Sequence, residues 1–417
     1  MEFFKGGKPL VQSKNLEKSL KSDIAEAVFD IPSVRQKIQD IRVASSKIEL
    51  VSAEGNTQVF ASGSVGVLDE YNTESRGLGF GSLRADRVLT DNNRISDSMK
   101  LAAIERDQKV NSVKIEINRK LREIVTAEAN NKKAKATLAI LGKYLKQYEG
   151  KVELVRKAVA IGAISNSDLL EIEGIRSEAL SKQAKAKLVN LQTEATLKAI
   201  LGNRYTSSMK ELEKIMISYD PRDLKLKDNL EYKNLLLQEK RLSTEISMKK
   251  QNLKPVSKLT SSITSPQAKD KGKTLFAGVT LEFPIRDGGK TKRELEILNQ
   301  QKESISIAKE ALLKKVKIAK DNWASFGSFY MDERTLLTDR ITISKNRLKE
   351  LEILQTQGRA NSGIYIKEVL KLATTEIELE ELDTRQLLNS VDTMDASVSV
   401  CSLLRICGQI DKALEGY

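Results

Sequence analysis

LEFPIRDGGKTK, residues Leu281 to Lys292, is the stretch on which the fold turns. Just upstream, Leu275, Ala277, Val279, Leu281, Phe283 and Ile285 fall on one side of an extended chain, with Thr280 and Glu282 on the other. That period of two describes a two-faced strand. Asp287-Gly288-Gly289 then makes a tight corner, and more than sixty residues of helical pattern follow. A two-faced strand feeding a very long helix through one corner is an unusual join.

A degenerate copy of the corner stands at Asp91-Asn92-Asn93-Arg94, with the two aspartates 196 positions apart. Alternating segments precede each corner: Gln58–Leu68 and Gly77–Leu89 in the first copy, Val256–Thr264 and Leu275–Ile285 in the second. The helical parts repeat as well. Leu138, Leu141, Leu145, Tyr148, Val152, Val155 and Val159 step by three and four, as do Ile305, Ala308, Leu312, Val316, Ala319, Trp323 and Phe326. Both are coiled-coil seams. Each long helix ends at a glycine suited to a helix C-cap, Gly162 and Gly358, again 196 apart. Ser165 with Asp168 then makes a capping-box-like restart, and Asn361-Ser362 restarts the second copy, where a few extra residues are expected over 359–367.

The chain therefore reads as an internal two-fold repeat. The first repeat covers 22–202, with a helix, a β-hairpin over 57–89 and a long helical hairpin over 92–202. The second covers 228–410, with a helix, a β-hairpin over 256–285 and a helical hairpin over 288–408. An inter-repeat segment, 203–227, contains the helix breaker Tyr219-Asp220-Pro221-Arg222.

Composition agrees with long helices. Across 417 residues, aromatics make up 5%, charged residues 30%, and prolines number 6. Histidine is absent, which removes the usual general base and the commonest metal ligand. No Gly-rich phosphate loop, metal-ligand pairing or nucleophile constellation stands out, so no enzyme, cofactor or metal is expected. Cys401 and Cys407, six apart on an expected helix, point to different faces and read as buried thiols. The net charge of +13 suits a solvated helical surface, nucleic acid, an anionic membrane surface or an acidic cargo. No apolar run approaches the roughly 18 residues of a membrane-spanning helix, and the N-terminus lacks the apolar core of a signal peptide.

A helix over the ~70 residues from Asn92 to Gly162 extends about 100 Å. Strands of about ten residues are long enough to cross a membrane when tilted. Four strands cannot close a barrel, for which about eight is the practical minimum, and open edges are not tolerated in lipid. Three copies would supply twelve strands, with the helices forming a coiled tube beneath. Alternation alone fits equally a soluble protein with a small sheet over a helical bundle.

The strand-PIRDGG-K corner, LVRKAVAIGAISNSDLLE (Leu154–Glu171), and the repeat-opening segments DIPSVRQKIQDIRVA (Asp30–Ala44) and DNLEYKNLLLQEKRL (Asp228–Leu242) resemble the TolC-type outer-membrane efflux and secretion proteins, the outer membrane factors. The likeness runs over about residues 22–410. It implies a mainly α fold with β. Three protomers, with four strands each, would form an outer-membrane β-barrel continued by a long periplasmic α-helical barrel. It implies a passive, non-enzymatic duct of a Gram-negative outer membrane, extending into the periplasm. Its partners would be outer-membrane lipid, a periplasmic adaptor and an inner-membrane transporter, and its task type I protein secretion or small-molecule efflux. Nucleic acid is not among them.

By the same resemblance, Asp91, Asn92, Asp287, Gly288 and Gly289 form the strand-to-helix corners. Gly162, Ser165, Gly358 and Ser362 mark the periplasmic tip turns where the adaptor docks. Asp168 takes the place of the tip aspartate that rings the pore, and Arg359 lies close to the basic position that would relieve its repulsion. Gln355 stands where the family often has a tyrosine. The competing function is a soluble structural coiled-coil protein with basic helices, in which the duplicated hairpins have no role.

Overall fold

The computed structural model describes residues 22–68, 76–215, 229–251, 254–266, 273–282, 287–357 and 362–415. Phe283, Ile285, Gly358, Arg359 and the breaker Tyr219-Asp220-Pro221-Arg222 lie outside the described residues. The chain is mostly helical, with one four-stranded sheet.

In chain order the elements are helices α1 (Asp23–Asp30) and α2 (Pro32–Ala53), strands β1 (Gln58–Leu68) and β2 (Arg76–Thr90), and helices α3 (Arg94–Ala160), α4 (Asn166–Leu201) and α5 (Tyr205–Ile215). Then come α6 (Leu230–Gln251), β3 (Val256–Pro266), β4 (Thr274–Glu282), α7 (Lys290–Thr356), α8 (Ser362–Ala396) and α9 (Cys407–Leu414). The break between α1 and α2 has a local cause. Pro32 pushes the preceding Ile31 to extended angles (φ −61°, ψ 131°), and proline itself is well suited to open the next helix.

The residues group into two compact units. One comprises α1 with Lys114–Leu230 and Leu313–Gly416, the other Gln36–Val113 and Glu231–Leu312. The second unit holds the sheet, which is antiparallel throughout in the order β1-β2-β3-β4. A register shift between Val88 and Thr90 marks a bulge just before the first corner.

The first unit has its core along the expected seam. Leu141, Leu145, Tyr148, Val152 and Val155 are buried on α3. They pack in clusters with Ile172 and Ala179 of α4 and Ile366, Leu370 and Ile377 of α8, while Tyr144 of α3 packs with Tyr365 and Val369 of α8. At the other end of this unit Arg204 pairs with Glu26 and Asp30, Arg122 with Asp392 and Asp395, and Lys114 with Asp411.

Two sequence expectations need correction. Cys401 and Cys407 are joined in a disulfide. They do not share a helix: Cys401 lies in a short 3-10 turn, Arg405 adopts φ +55°, and Cys407 opens α9, so the chain doubles back. Asn118, 2% exposed, accepts a hydrogen bond from the Cys401 N–H and ties this loop to α3. The second correction concerns the turn before α8. The gap from Ala160 to Asn166 equals that from Thr356 to Ser362, so the expected extra residues are absent.

Candidate functional site

The sheet has two chemically different faces. Pairing places Val59, Ala61 and Val65 of β1, Leu83 and Ala85 of β2, Leu259 and Ile263 of β3, and Leu275, Ala277, Val279 and Leu281 of β4 on one side. This side is apolar and uncovered: Val65 is 89% exposed, Leu275 74% and Leu281 66%. The other side carries Arg84, Asp86, Lys258, Thr260, Thr280 and Glu282. There Arg84 pairs with Asp86 at 2.8 Å and lies 5.3 Å from the Phe60 ring centroid, Lys258 stands 3.6 Å from Glu282, and the Ser62 and Ser82 hydroxyls meet at 2.7 Å. Half-buried soluble sheets cover their apolar face with a helix or a second sheet; among the described residues no element does so here. Among the described residues, β1 and β4 each leave one edge unpaired.

Below the strands both corners use one device. Asp91 accepts from the N–H groups of Asn93 (3.0 Å) and Ile95 (2.7 Å); Asp287 accepts from those of Gly289 (3.0 Å) and Thr291 (3.0 Å). The two residues after each aspartate are left-handed: Asn92 and Asn93 at φ +54° and +67°, Gly288 and Gly289 at +64° and +84°. Glycine and asparagine are the residues that tolerate such angles. Asn92 and Arg94 also brace the first corner, donating to the backbone carbonyls of Pro255 (2.6 Å) and Lys254 (2.8 Å).

Hydrogen bonds, first that of the Thr291 side chain and then those of the backbone, lower the Asp287 pKa below its ordinary value. A carboxylate whose folded pKa is depressed stabilises the fold above its unfolded pKa, and that support is lost as pH falls through the folded value. Asp287→Ala is therefore expected to fray the first turn of α7, seen as faster amide exchange at Gly289 and Thr291 at neutral pH. Wild type should match the variant only in strong acid.

At the far end of α3, Gly162 adopts φ +73°. Its N–H bonds the Val159 carbonyl at 3.0 Å, and the Ala163 N–H bonds that of Ala158 at 2.8 Å, closing the helix in a Schellman motif. Ser165 caps α4, accepting from the Asp168 N–H at 3.0 Å while its hydroxyl donates to the Asp168 carboxylate at 2.7 Å. Asp168 also receives Lys367 Nζ of α8 at 3.1 Å, and the same ammonium reaches Glu171 at 2.7 Å. Arg359, the basic partner expected from the sequence, lies outside the described residues, as does Gly358. Lys367 was missed, although it stands 196 positions after Glu171, the offset of the repeat. Gln355 accepts from Lys151 at 3.0 Å, and Tyr365 donates to Glu352 at 2.9 Å.

The Asp168 pKa is lowered, chiefly by the Ser165 hydroxyl and then by Lys367; that of Lys367 is raised, chiefly by Glu171 and then by Asp168. The sign follows for each. Asp168 contributes above the ordinary carboxylate range and is lost as pH falls through its lowered value. Lys367 contributes below the ordinary lysine value and is lost as pH rises through its raised value. The cross-link is thus intact across the neutral range and fails at both extremes. Lys367→Gln is expected to weaken the pH dependence of α4–α8 exchange protection in acid, leaving the part that the Ser165 hydroxyl sustains.

Among the described residues no group of acidic or thiol side chains is arranged to hold a metal ion, and no helix is long and apolar enough to cross a membrane.

Solved structures of outer-membrane channels superpose on nearly the whole chain. VceC from Vibrio cholerae matches with a TM-score of 0.75, covering 93% of this chain and 96% of its own at 12% identity. CusC, described through the folding and formation of its transmembrane channel, matches at 0.73 over 92% of both chains with 16% identity. MtrE from Neisseria gonorrhoeae, solved in its open state, matches at 0.71 over 92% and 89% with 14% identity. This is the TolC-type outer-membrane channel fold. No protein-family model and no curated protein matches the sequence, so the likeness resides in the three-dimensional arrangement.

Proposed function

We propose that the protein is the outer-membrane duct of a tripartite export system. Three copies close a twelve-stranded barrel in the outer membrane, continued by a helical tube through the periplasm. The observation that carries this is the sheet: an exposed apolar face, an ion-paired polar face and two unpaired edges in one four-stranded unit. Lipid supplies a partner for the first, a water-filled lumen for the second, and neighbouring copies for the third.

The helices support association as well. Ile318, Phe329, Leu336, Ile343 and Leu354 of α7 follow steps of 11 and 7 residues, which keep them on one side of the helix, and all are exposed. Leu180, Leu188 and Leu191 of α4 are exposed too. Such apolar surface on a single chain marks a contact with another. The internal repeat is supported by the element bounds: α3 and α7 are both 67 residues long, starting at Arg94 and Lys290 and ending at Ala160 and Thr356.

The turns at Gly162–Ser165 and before Ser362 form the periplasmic tip, where an adaptor and an inner-membrane transporter engage. Asp168, with Lys367 and the sequence-expected Arg359, governs the aperture. The duct carries proteins or small molecules and performs no chemistry. Fractionation of the native full-length protein, with crosslinking in detergent, tests the reading: an outer-membrane trimer that conducts ions in planar bilayers is expected. A soluble monomer or dimer would overturn it in favour of a structural coiled-coil protein.

A further inference from the structure

We propose that four unpaired cations at the strand-to-helix junction, Arg87, Lys254, Lys290 and Lys292, hold the phosphate headgroups of anionic phospholipids in the periplasmic leaflet of the outer membrane. The proposal rests on the reading of the sheet as lipid-embedded.

Arg87 lies on the apolar face, paired across the strands with Leu259, four residues before the Asp91 corner. It is exposed and has no ion partner among the described residues. A guanidinium within hydrocarbon is costly, but close to the interface it can extend to the headgroups, where its planar fork matches phosphate. Lys254 precedes β3, and Lys290 and Lys292 open α7; all three are exposed and unpaired among the described residues.

The nearby acids are committed elsewhere. Asp91 and Asp287 hold backbone N–H groups, Asp86 holds Arg84, Glu282 stands by Lys258, and Asp97 holds Lys100. Glu54, also exposed, lines a cavity on the polar face with Arg84 and Lys258.

Membrane barrels usually set their depth with tyrosine and tryptophan girdles. The described strand residues contain neither, and Phe60 and Phe276, whose side chains are described, lie on the polar face. Among the described residues, cations are what remains to hold the periplasmic rim at the interface.

The test is native mass spectrometry of the purified trimer from nanodiscs made of phosphatidylethanolamine with a minor fraction of phosphatidylglycerol. Each basic residue near an anionic surface contributes roughly a fivefold factor in partitioning. Wild type is expected to retain phosphatidylglycerol several-fold above its bulk fraction. Arg87→Gln alone should cut that enrichment, and Arg87→Gln with Lys254→Gln, Lys290→Gln and Lys292→Gln should remove it. Should the variants not assemble, wild type in rising salt supplies the readout, because enrichment by charge must fall as salt screens it. A trimer that inserts with no preference for phosphatidylglycerol, or with one insensitive to salt, overturns the headgroup site and leaves the duct standing. Failure of wild type to insert at all overturns the duct.

Discussion

Arginine at Ile263 is expected to keep the protein out of the outer membrane, whereas arginine at Ser262, its neighbour on β3, is tolerated. Ile263 lies on the apolar face between Leu83 and Leu275, and Ser262 on the polar face between Arg84 and Phe276. A lipid-facing arginine near the bilayer midplane costs about 2–4 kcal/mol, and a ring of three copies incurs it three times. A lumen-facing arginine stays in water. The measurement is the amount of heat-resistant trimer in the outer-membrane fraction, which Ile263→Arg should nearly abolish. In a soluble protein both residues would face water or a covering element, and the sharp contrast between neighbours would be lost. Equal trimer yields for the two variants would therefore refute lipid exposure of this face.

Truncating Ile172 to alanine is the second large effect. Ile172 is 0% exposed and packs with Tyr148, Val152, Val155, Ile164, Ile366 and Leu370 where α4 and α8 meet α3. Removing a fully enclosed branched side chain costs about 2–5 kcal/mol, depending on how far the site collapses. Leu170, two positions earlier and 66% exposed, gives a control expected to lie within about 0.5 kcal/mol of wild type. Hydrogen exchange should show the loss first in the opening turns of α4 and α8. These are also the turns that carry Asp168 and Lys367, so the same variant is expected to raise the open probability of the channel. Loss of protection confined to the sheet would contradict this assignment.

Much of the fold was legible because it is periodic. The three-four stepping from Leu141 to Val155 marks a buried seam, and those side chains are buried. Asp-Gly-Gly announces left-handed backbone after a strand, and the degenerate Asp-Asn-Asn corner adopts the same angles. Non-local contacts were harder to see. Assuming one helix through Cys401 and Cys407 separated two thiols that a 3-10 turn and Arg405 bring together. Lys367 reaches Asp168 from one helical turn inside α8, a contact that no local motif announces. Side-chain reach across two helices is set by packing and leaves no mark in a linear pattern. α5 was not anticipated either, for its eleven residues are too few to establish a period.

The unpaired edges of β1 and β4 also have a consequence for inheritance. In the proposed ring of three copies, a sheet completed by its neighbours makes every copy answerable for the whole. When intact and defective alleles are expressed equally and mix freely, roughly one ring in eight contains intact copies alone. Alleles that still associate but carry a faulty strand should therefore be dominant, while alleles that yield no chain should be recessive.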